Sequence, residues 1–295
     1  MGRGKKIKKK KALSKSIFSL AVLAILGLFL YFAINLNGIS GRSLTNTRLA
    51  PLPSPIFTPT PTPIPTPTPV PLVGYCLHVP VLFYHHVQPQ AQAIEKGQTA
   101  TSVDNEIFDQ QIQHLVSQGY AFLTAKELVD ALRNKSQVPS KSILITLDDG
   151  YLDSYQYAYP IFKKYNIKAN LMIATGLLGG GDYVTREQIR EMAGSGLIYF
   201  TDHTWSHYSV GYGSEDKIRH EIVTAKQQLQ ENTGQMIDIF TYPYGSFSDL
   251  SIGILSQEGF AGAFSTIFGD VQCDSFVMAL HRRRIGNSPL SHYGL

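Results

Sequence analysis

Acidic residues are missing from the first 72 positions; all 22 Asp and Glu lie in 73–295. Residues 1–16 carry eight cations (Arg3, Lys5, Lys6, Lys8, Lys9, Lys10, Lys11 and Lys15), and 17–72 add only Arg42 and Arg48. The net charge of +4 therefore divides into +8 over 1–16, +2 over 17–72 and −6 over 73–295. An acidic bulk excludes an evenly basic nucleic-acid binder, and no nucleic-acid partner is expected. Cysteine is scarce, with Cys76 and Cys273 alone. A bridge between them is permitted if the domain lies outside the cytoplasm, and two buried free thiols are the other reading. No internal repeat is visible, which excludes a repeat architecture. What the chain has in quantity is 43% hydrophobic residues and 31 Phe and Tyr, which excludes wholesale disorder.

Charge is also absent between Lys15 and Arg42. Within that gap, residues 17–34 are dominated by apolar side chains, and 18 residues at about 1.5 Å each span roughly 27 Å, close to a hydrocarbon core. The basic block on its N-terminal side should stay in the cytoplasm. No small-x-small cleavage site follows, and the run is long for a signal peptide. The expectation is a basic cytoplasmic tail over 1–16 and an uncleaved transmembrane signal anchor over 17–36, making a single-pass protein of the cell membrane. Residues 37–72 are expected to form a Pro/Thr-rich extracytoplasmic linker. Ten of the 16 prolines fall in 51–71, where fixed φ and missing N–H groups favour polyproline II. At about 3.1 Å per residue this is a spacer of roughly 65 Å.

Residues 73–295 are long enough for one substantial core. Short apolar runs at Val79–Tyr84, Ile143–Leu147, Ala169–Ala174, Leu197–Thr201 and Ile237–Tyr242 read as strands. Helical spacing occupies Glu106–Gln118, Ala125–Asn134, Leu152–Tyr165, Thr185–Ala193, Glu215–Thr233 and Asp249–Glu258. Thr124, Ser214 and Ser248 suit N-caps; Gly119, Gly234 and Gly259 suit helix stops. Alternation of this kind predicts an α/β fold: a parallel sheet covered by helices, closed as a β/α barrel smaller than the eight-unit form.

Three motifs follow predicted strands, where such barrels collect their chemistry. Asp148-Asp149-Gly150-Tyr151 ends the first. Adjacent strand residues point to opposite sides, so its two carboxylates take different roles and do not face one another as a glycosidase pair. Asp202-His203-Thr204-Trp205-Ser206-His207 ends the second, and two histidines four apart suit one metal. Tyr242-Pro243-Tyr244-Gly245 ends the third and builds a fixed turn. One carboxylate and two imidazoles leave a coordination position open for water, the mark of a catalytic zinc site. A second carboxylate can serve as general base, so the reaction class is metal-assisted hydrolysis of an amide or ester.

These residues resemble the polysaccharide deacetylases of carbohydrate esterase family 4, the NodB-homology domain. LITLDDGY, DHTWSH and TYPYG look like its first three motifs, and the likeness covers most of 79–286. The opening VPVLFYHHV and closing LHRRRI are most similar to the poly-N-acetylglucosamine deacetylase branch. The resemblance implies a distorted barrel of about seven strands and a catalytic domain over 73–295. It implies a divalent metal, Zn2+ first with Co2+ or Ni2+ as alternatives, held by Asp149, His203 and His207. It implies Asp148 as base and the Tyr244 backbone N–H as oxyanion donor. The arginine that orients the base usually precedes the motif's proline by two residues, where this chain has Thr241; one of Arg282, Arg283 or Arg284 is the replacement, Arg282 first by its position in the closing segment. The usual acid histidine has a poorly spaced match in His281. His85, Trp205, Tyr242 and Pro243 are candidates for substrate contact, and His86 is placed beside His85. The expected activity is N-deacetylation of a glucosaminyl polysaccharide (poly-N-acetylglucosamine, peptidoglycan or chitin-like) by a monomer. The alternative is a catalytically inactive carbohydrate-binding relative at the cell surface.

Overall fold

The computed structural model describes residues 73–295. The expected tail, anchor and linker lie outside the described residues. Among the described residues no helix is long and apolar enough to cross a membrane.

Seven parallel strands close on themselves in chain order. They are β1 (Val81–Tyr84), β2 (Ser142–Leu147), β3 (Ala169–Ile173), β4 (Ile198–Asp202), β5 (Ile239–Thr241), β6 (Gly262–Phe268) and β7 (Leu280–Arg284). Each pairs with the next, and Arg284 of β7 opposite Phe83 of β1 closes the ring. Besides a short helix at Gln90–Glu95, six longer helices lie in the connections among the described residues: α1 (Asn105–Ser117), α2 (Ala125–Arg133), α3 (Tyr159–Tyr165), α4 (Arg186–Gly194), α5 (Glu215–Thr233) and α6 (Asp249–Gln257). Parallel strands demand such crossovers, and a strand covered by a helix reads as a near-continuous apolar run. The Thr124 side chain accepts from the Glu127 N–H, Ser214 from Lys217 and Ser248 from Ser251, so all three expected caps are in place. Gly234 closes α5 in the left-handed region at φ 67°.

Strand alternation sorts the core in two. Leu82 and Tyr84, Ile143, Ile145 and Leu147, and Leu171 and Ile173 belong to a cluster packed with helix residues such as Phe108, Phe162 and Ile222. Val81, Leu144, Tyr199, Ile239, Phe264 and Leu280 form a second cluster with Leu128, Val129 and Leu132 of α2, which plugs the N-terminal mouth of the barrel. Gly262 makes that plug fit, because a Cβ there would come within 2.6 Å of Val129.

The barrel is distorted where β2 meets β3. The start of β2 pairs instead with a short strand, Ala121–Phe122, and only Thr146 and Leu147 reach β3. Buried Asn170 bridges the splay, accepting from the Ala125 N–H at 2.7 Å and donating to the carbonyls of Leu123 and Ile145. Two barrel strands were absent from the sequence reading, β6 and β7. Their apolar pattern is broken by Ser265 and Thr266 in one and by three arginines in the other. Outside the barrel, Cys76–His78 pairs antiparallel with Val271–Cys273. Cys76 and Cys273 face each other in that ladder and form a disulfide, which decides the alternative left open by the sequence.

Candidate active site

The inward face of the barrel changes character along its axis. Above the apolar plug lie Thr146, Thr201 and Thr241; the two latter hydroxyls are 3.2 Å apart. Continuing the same alternation by two residues brings Asp148, His203 and Pro243 to the C-terminal face, along with His85 after β1. Arg282 of β7 points into this space. Its Nη1 and Nη2 donate to the two oxygens of Asp148 at 2.7 and 2.8 Å, and its Nε donates to the Ser265 carbonyl at 2.8 Å. The guanidinium also lies 4.5 Å over the Phe83 ring. Burial opposes ionisation of Asp148, but the Arg282 charge and hydrogen bonds outweigh it and hold the carboxyl below its ordinary value. The arginine expected from the closing segment is thus the one beside the first carboxylate.

Asp149 turns away from Asp148 through a backbone in the left-handed region, φ 75°, with Gly150 following at φ 79°. Its Oδ1 lies 3.2 Å from His203 Nε2 and 3.1 Å from His207 Nε2. Thr204, His207 and Tyr244 are also left-handed, at φ 66°, 59° and 61°. Such conformations disfavour residues with a Cβ, and four of the six non-glycine cases among the described residues fall here.

Protonation follows from the neighbours. His203 Nδ1 lies 2.7 Å from the Thr241 carbonyl, which can only accept, so Nδ1 carries a proton and Nε2 is the ring atom left facing Asp149. His207 Nδ1 meets the Tyr244 hydroxyl at 3.1 Å, and the two rings pack edge to face. Asp149 Oδ1 is buried yet accepts no hydrogen bond among the described residues. The three ligand atoms lie within 4.8 Å of one another. Three lone-pair donors converging with an unsatisfied carboxylate oxygen fit a divalent cation and little else.

The remaining candidates are dispersed. His85 is close enough for both carboxylates to act on it; burial lowers its pKa, and Asp148 and Asp149 partly offset that. His86 points the other way, out of the barrel. Its Nδ1 donates to Asp153 at 2.6 Å, and its ring stacks on Tyr151. His281 is one residue from Arg282 and therefore faces outward, stacked on Phe276 at 4.4 Å. That placement removes it from the site. Trp205 packs over Gly176 and against His220 of α5, within the wall rather than at the carboxylates. Tyr242 is fully buried and donates to the Met278 carbonyl at 2.9 Å, so it is a core residue, and Pro243 beside it is buried. Tyr244, by contrast, is 70% exposed at the rim.

Two contributors escaped the sequence reading. Tyr151 stacks between His86 and Tyr183 and lies beside Asp149; its place directly after Asp-Asp-Gly was the available signal. Glu221 on α5 accepts from the Ser206 N–H and hydroxyl, both at 2.7 Å, and so anchors the loop carrying both histidines. Nothing in the local sequence marks it.

Known proteins resemble this chain in sequence and fold. The family profile described as Polysaccharide deacetylase matches residues 135–263, which include both carboxylates and both histidines. The Bacillus subtilis protein YxkH, named for the polysaccharide deacetylases, is 30% identical over 207 residues, covering 70% of this chain and 71% of YxkH. A Staphylococcus aureus poly-beta-1,6-N-acetyl-D-glucosamine N-deacetylase is 29% identical over 177 residues; the match covers 56% of this chain and 61% of that enzyme. The structure of the Streptococcus pyogenes deacetylase PplD in complex with acetate superposes with a TM-score of 0.66 at 30% identity, over 71% of this chain and 92% of that one. With seven parallel strands and these likenesses in agreement, the chain belongs to the polysaccharide deacetylase family, hydrolases of N-acetyl amide bonds in polysaccharides.

Proposed function

We propose that this chain is a membrane-anchored, extracytoplasmic, metal-dependent enzyme that removes acetyl groups from a glucosaminyl polysaccharide. The observation that carries the reading is the meeting of Asp149 Oδ1, His203 Nε2 and His207 Nε2 beside a carboxylate held by Arg282. Those three residues would hold the ion, zinc first by donor type with Co2+ or Ni2+ as alternatives. Such an ion, when bound, polarises a carbonyl and makes water more acidic.

The chain's own residues supply the rest. Asp148 accepts the proton of the attacking water; each of its oxygens keeps a lone pair beyond the one that Arg282 engages. Arg282 fixes the carboxylate plane, and the Tyr244 backbone N–H meets the oxyanion that forms on the acetyl carbon. A donor of that kind is worth roughly 3 kcal/mol in the transition state. Cleavage of the C–N bond requires a proton for the departing amine. His85 is the imidazole suited to deliver it, because Tyr84 pairs with Leu147 and so sets His85 beside Asp148 at the same end of the barrel. Water, proton and acetyl then balance as acetate and a free amine.

The basic block, the apolar run and the proline-rich stretch support the anchored arrangement. The Cys76–Cys273 disulfide supports an oxidising location outside the cytoplasm. The polymer is a glucosaminyl chain of the poly-N-acetylglucosamine, peptidoglycan or chitin-like type. The reading of a binding relative without activity drew on an absent arginine and an ill-placed acid. Arg282 and His85 now occupy those roles in the proposal. The test is acetate release from N-acetylglucosamine oligomers by the purified chain supplied with zinc. Release that a chelator and Asp148→Asn both abolish is expected; release indifferent to either overturns the mechanism.

A further inference from the structure

Three successive arginines end β7, and their partners differ. Arg282 is neutralised by Asp148. Arg283 points outward and pairs with Asp270. Arg284 has no carboxylate partner among the described residues; its one protein contact of note is Nη2 donating to the Ala100 carbonyl at 2.8 Å. Since β7 neighbours β1, Arg284 and His85 stand at the C-terminal ends of adjacent strands, on the barrel face where the metal cluster lies.

Between them opens a cavity of about 230 Å3, walled by His85, Thr101, Ser102, Arg284 and Tyr293 among others. No acid lines it, in a domain whose net charge is −6. It is smaller than the roughly 300–1,000 Å3 of pockets that take a whole ligand. It therefore suits one substituent or ring of a polymer whose neighbouring sugar lies over the Asp149 cluster. His85 borders both spaces, so the cavity adjoins the reacting centre directly.

We propose that this cavity is a substrate subsite for a carboxylate carried by the sugar next to the one being deacetylated, and that Arg284 is the residue that reads it. The proposal rests on the deacetylase reading and narrows its substrate class to chains with an acidic substituent, such as a lactyl ether. Arg284 suits this because its planar guanidinium offers two parallel N–H groups to a carboxylate, and the Ala100 carbonyl steadies it from one side. The net negative charge of the domain does not oppose it. Beyond about 8–10 Å that charge is screened at physiological salt, whereas the Arg284 contact is local.

The experiment uses the full-length chain and three tetrasaccharides: the tetramer of N-acetylglucosamine, the same tetramer with lactyl ethers on alternate sugars, and the methyl ester of the latter. Acetate release with zinc and equilibrium binding without metal are both measured. The expected result is a preference of about fivefold for the free lactyl form over the other two, in binding and in kcat/KM. That size corresponds to a partly enclosed charge-assisted contact. Arg284→Gln should collapse the ratio to about one, and Arg284→Lys should keep part of it. Equal handling of the three by the wild type, or an unchanged ratio in Arg284→Gln, overturns the subsite. A carboxylate preference in binding with no acetate released from any oligomer would sink the enzymatic reading and leave the subsite standing. Acetate released equally from all three would do the reverse.

Discussion

Asp148 and Tyr244 show how single side chains divide the work of the site. In the proposed mechanism Asp148 is a reacting group, and in the structure it is the counter-charge of a fully buried arginine. Asp148→Asn should therefore lose activity and stability together. Removing one member of a buried ion pair strands the other and costs about 3–5 kcal/mol, so a clear drop in melting temperature is expected beside the loss of acetate release. A variant as stable as the wild type would show that the Arg282 charge is met in another way. Tyr244 is the reverse case. Its hydroxyl lies 3.1 Å from His207 Nδ1, the ring nitrogen remote from Asp149, while its ring is exposed and supports little core. Tyr244→Phe should keep the melting temperature of the metal-free protein. It should also weaken zinc affinity by roughly 10–100-fold, the usual effect of losing a partner behind a metal-ligating histidine. Zinc titration against a competing chelator measures it, and an unchanged affinity would exclude the hydroxyl as the orienting group.

Elements bring these residues together, and their legibility in the sequence was uneven. Strands covered by helices announced themselves as apolar runs, so β1 to β5 were found within about two residues of their ends. The caps at Thr124, Ser214 and Ser248 were equally plain, because a capping hydroxyl acts on its own helix. The strand β7 was not found, since Arg282 belongs to a polar lumen and His281 and Arg283 to an outer face. Alternation continued past β1 separates His85 from His86, and it would have separated Arg282 from His281 had β7 been placed. Glu221 was out of reach altogether, because its partner, Ser206, is 15 residues away across a turn. Its role is open to measurement. Burial opposes ionisation of Glu221, but Lys217 and Ser206 outweigh it and lower its pKa from the ordinary 4.5. A group whose pKa is lowered by folding adds stability above its unfolded value and loses it as pH falls through the folded one. Glu221→Gln should thus cost stability at neutral pH, with the difference in melting temperature from the wild type shrinking below about pH 4.5. A gap independent of pH would mean that the carboxylate charge is not what holds the histidine loop.

At the scale of the whole molecule, the charge that averages to +4 separates a cationic N-terminal region from a catalytic domain of −6. One covalent link bears on how that domain is held. The disulfide joins Cys76, at the very start of the described chain, to Cys273, just before β7, and closes a loop of 197 residues. Cys76 lies five residues after Pro71, the last proline of the 51–71 stretch, so the bridge ties the start of the described domain to the segment that precedes Arg282. In the chain-entropy account a loop that long is worth roughly 5 kcal/mol at most, by restricting the unfolded chain. Replacing both cysteines with serine, or adding a reductant, should lower the denaturant midpoint by a margin of that order. The slope of the transition should steepen as the unfolded state gains exposed surface. Activity under native conditions should persist, because neither cysteine contacts the Asp149 cluster or the Arg282–Asp148 pair. If acetate release disappears on reduction while the domain remains folded by circular dichroism, the bridge also positions β7, and Arg282 with it. If neither midpoint nor activity moves, the strand pairing of Cys76–His78 with Val271–Cys273 is sufficient on its own.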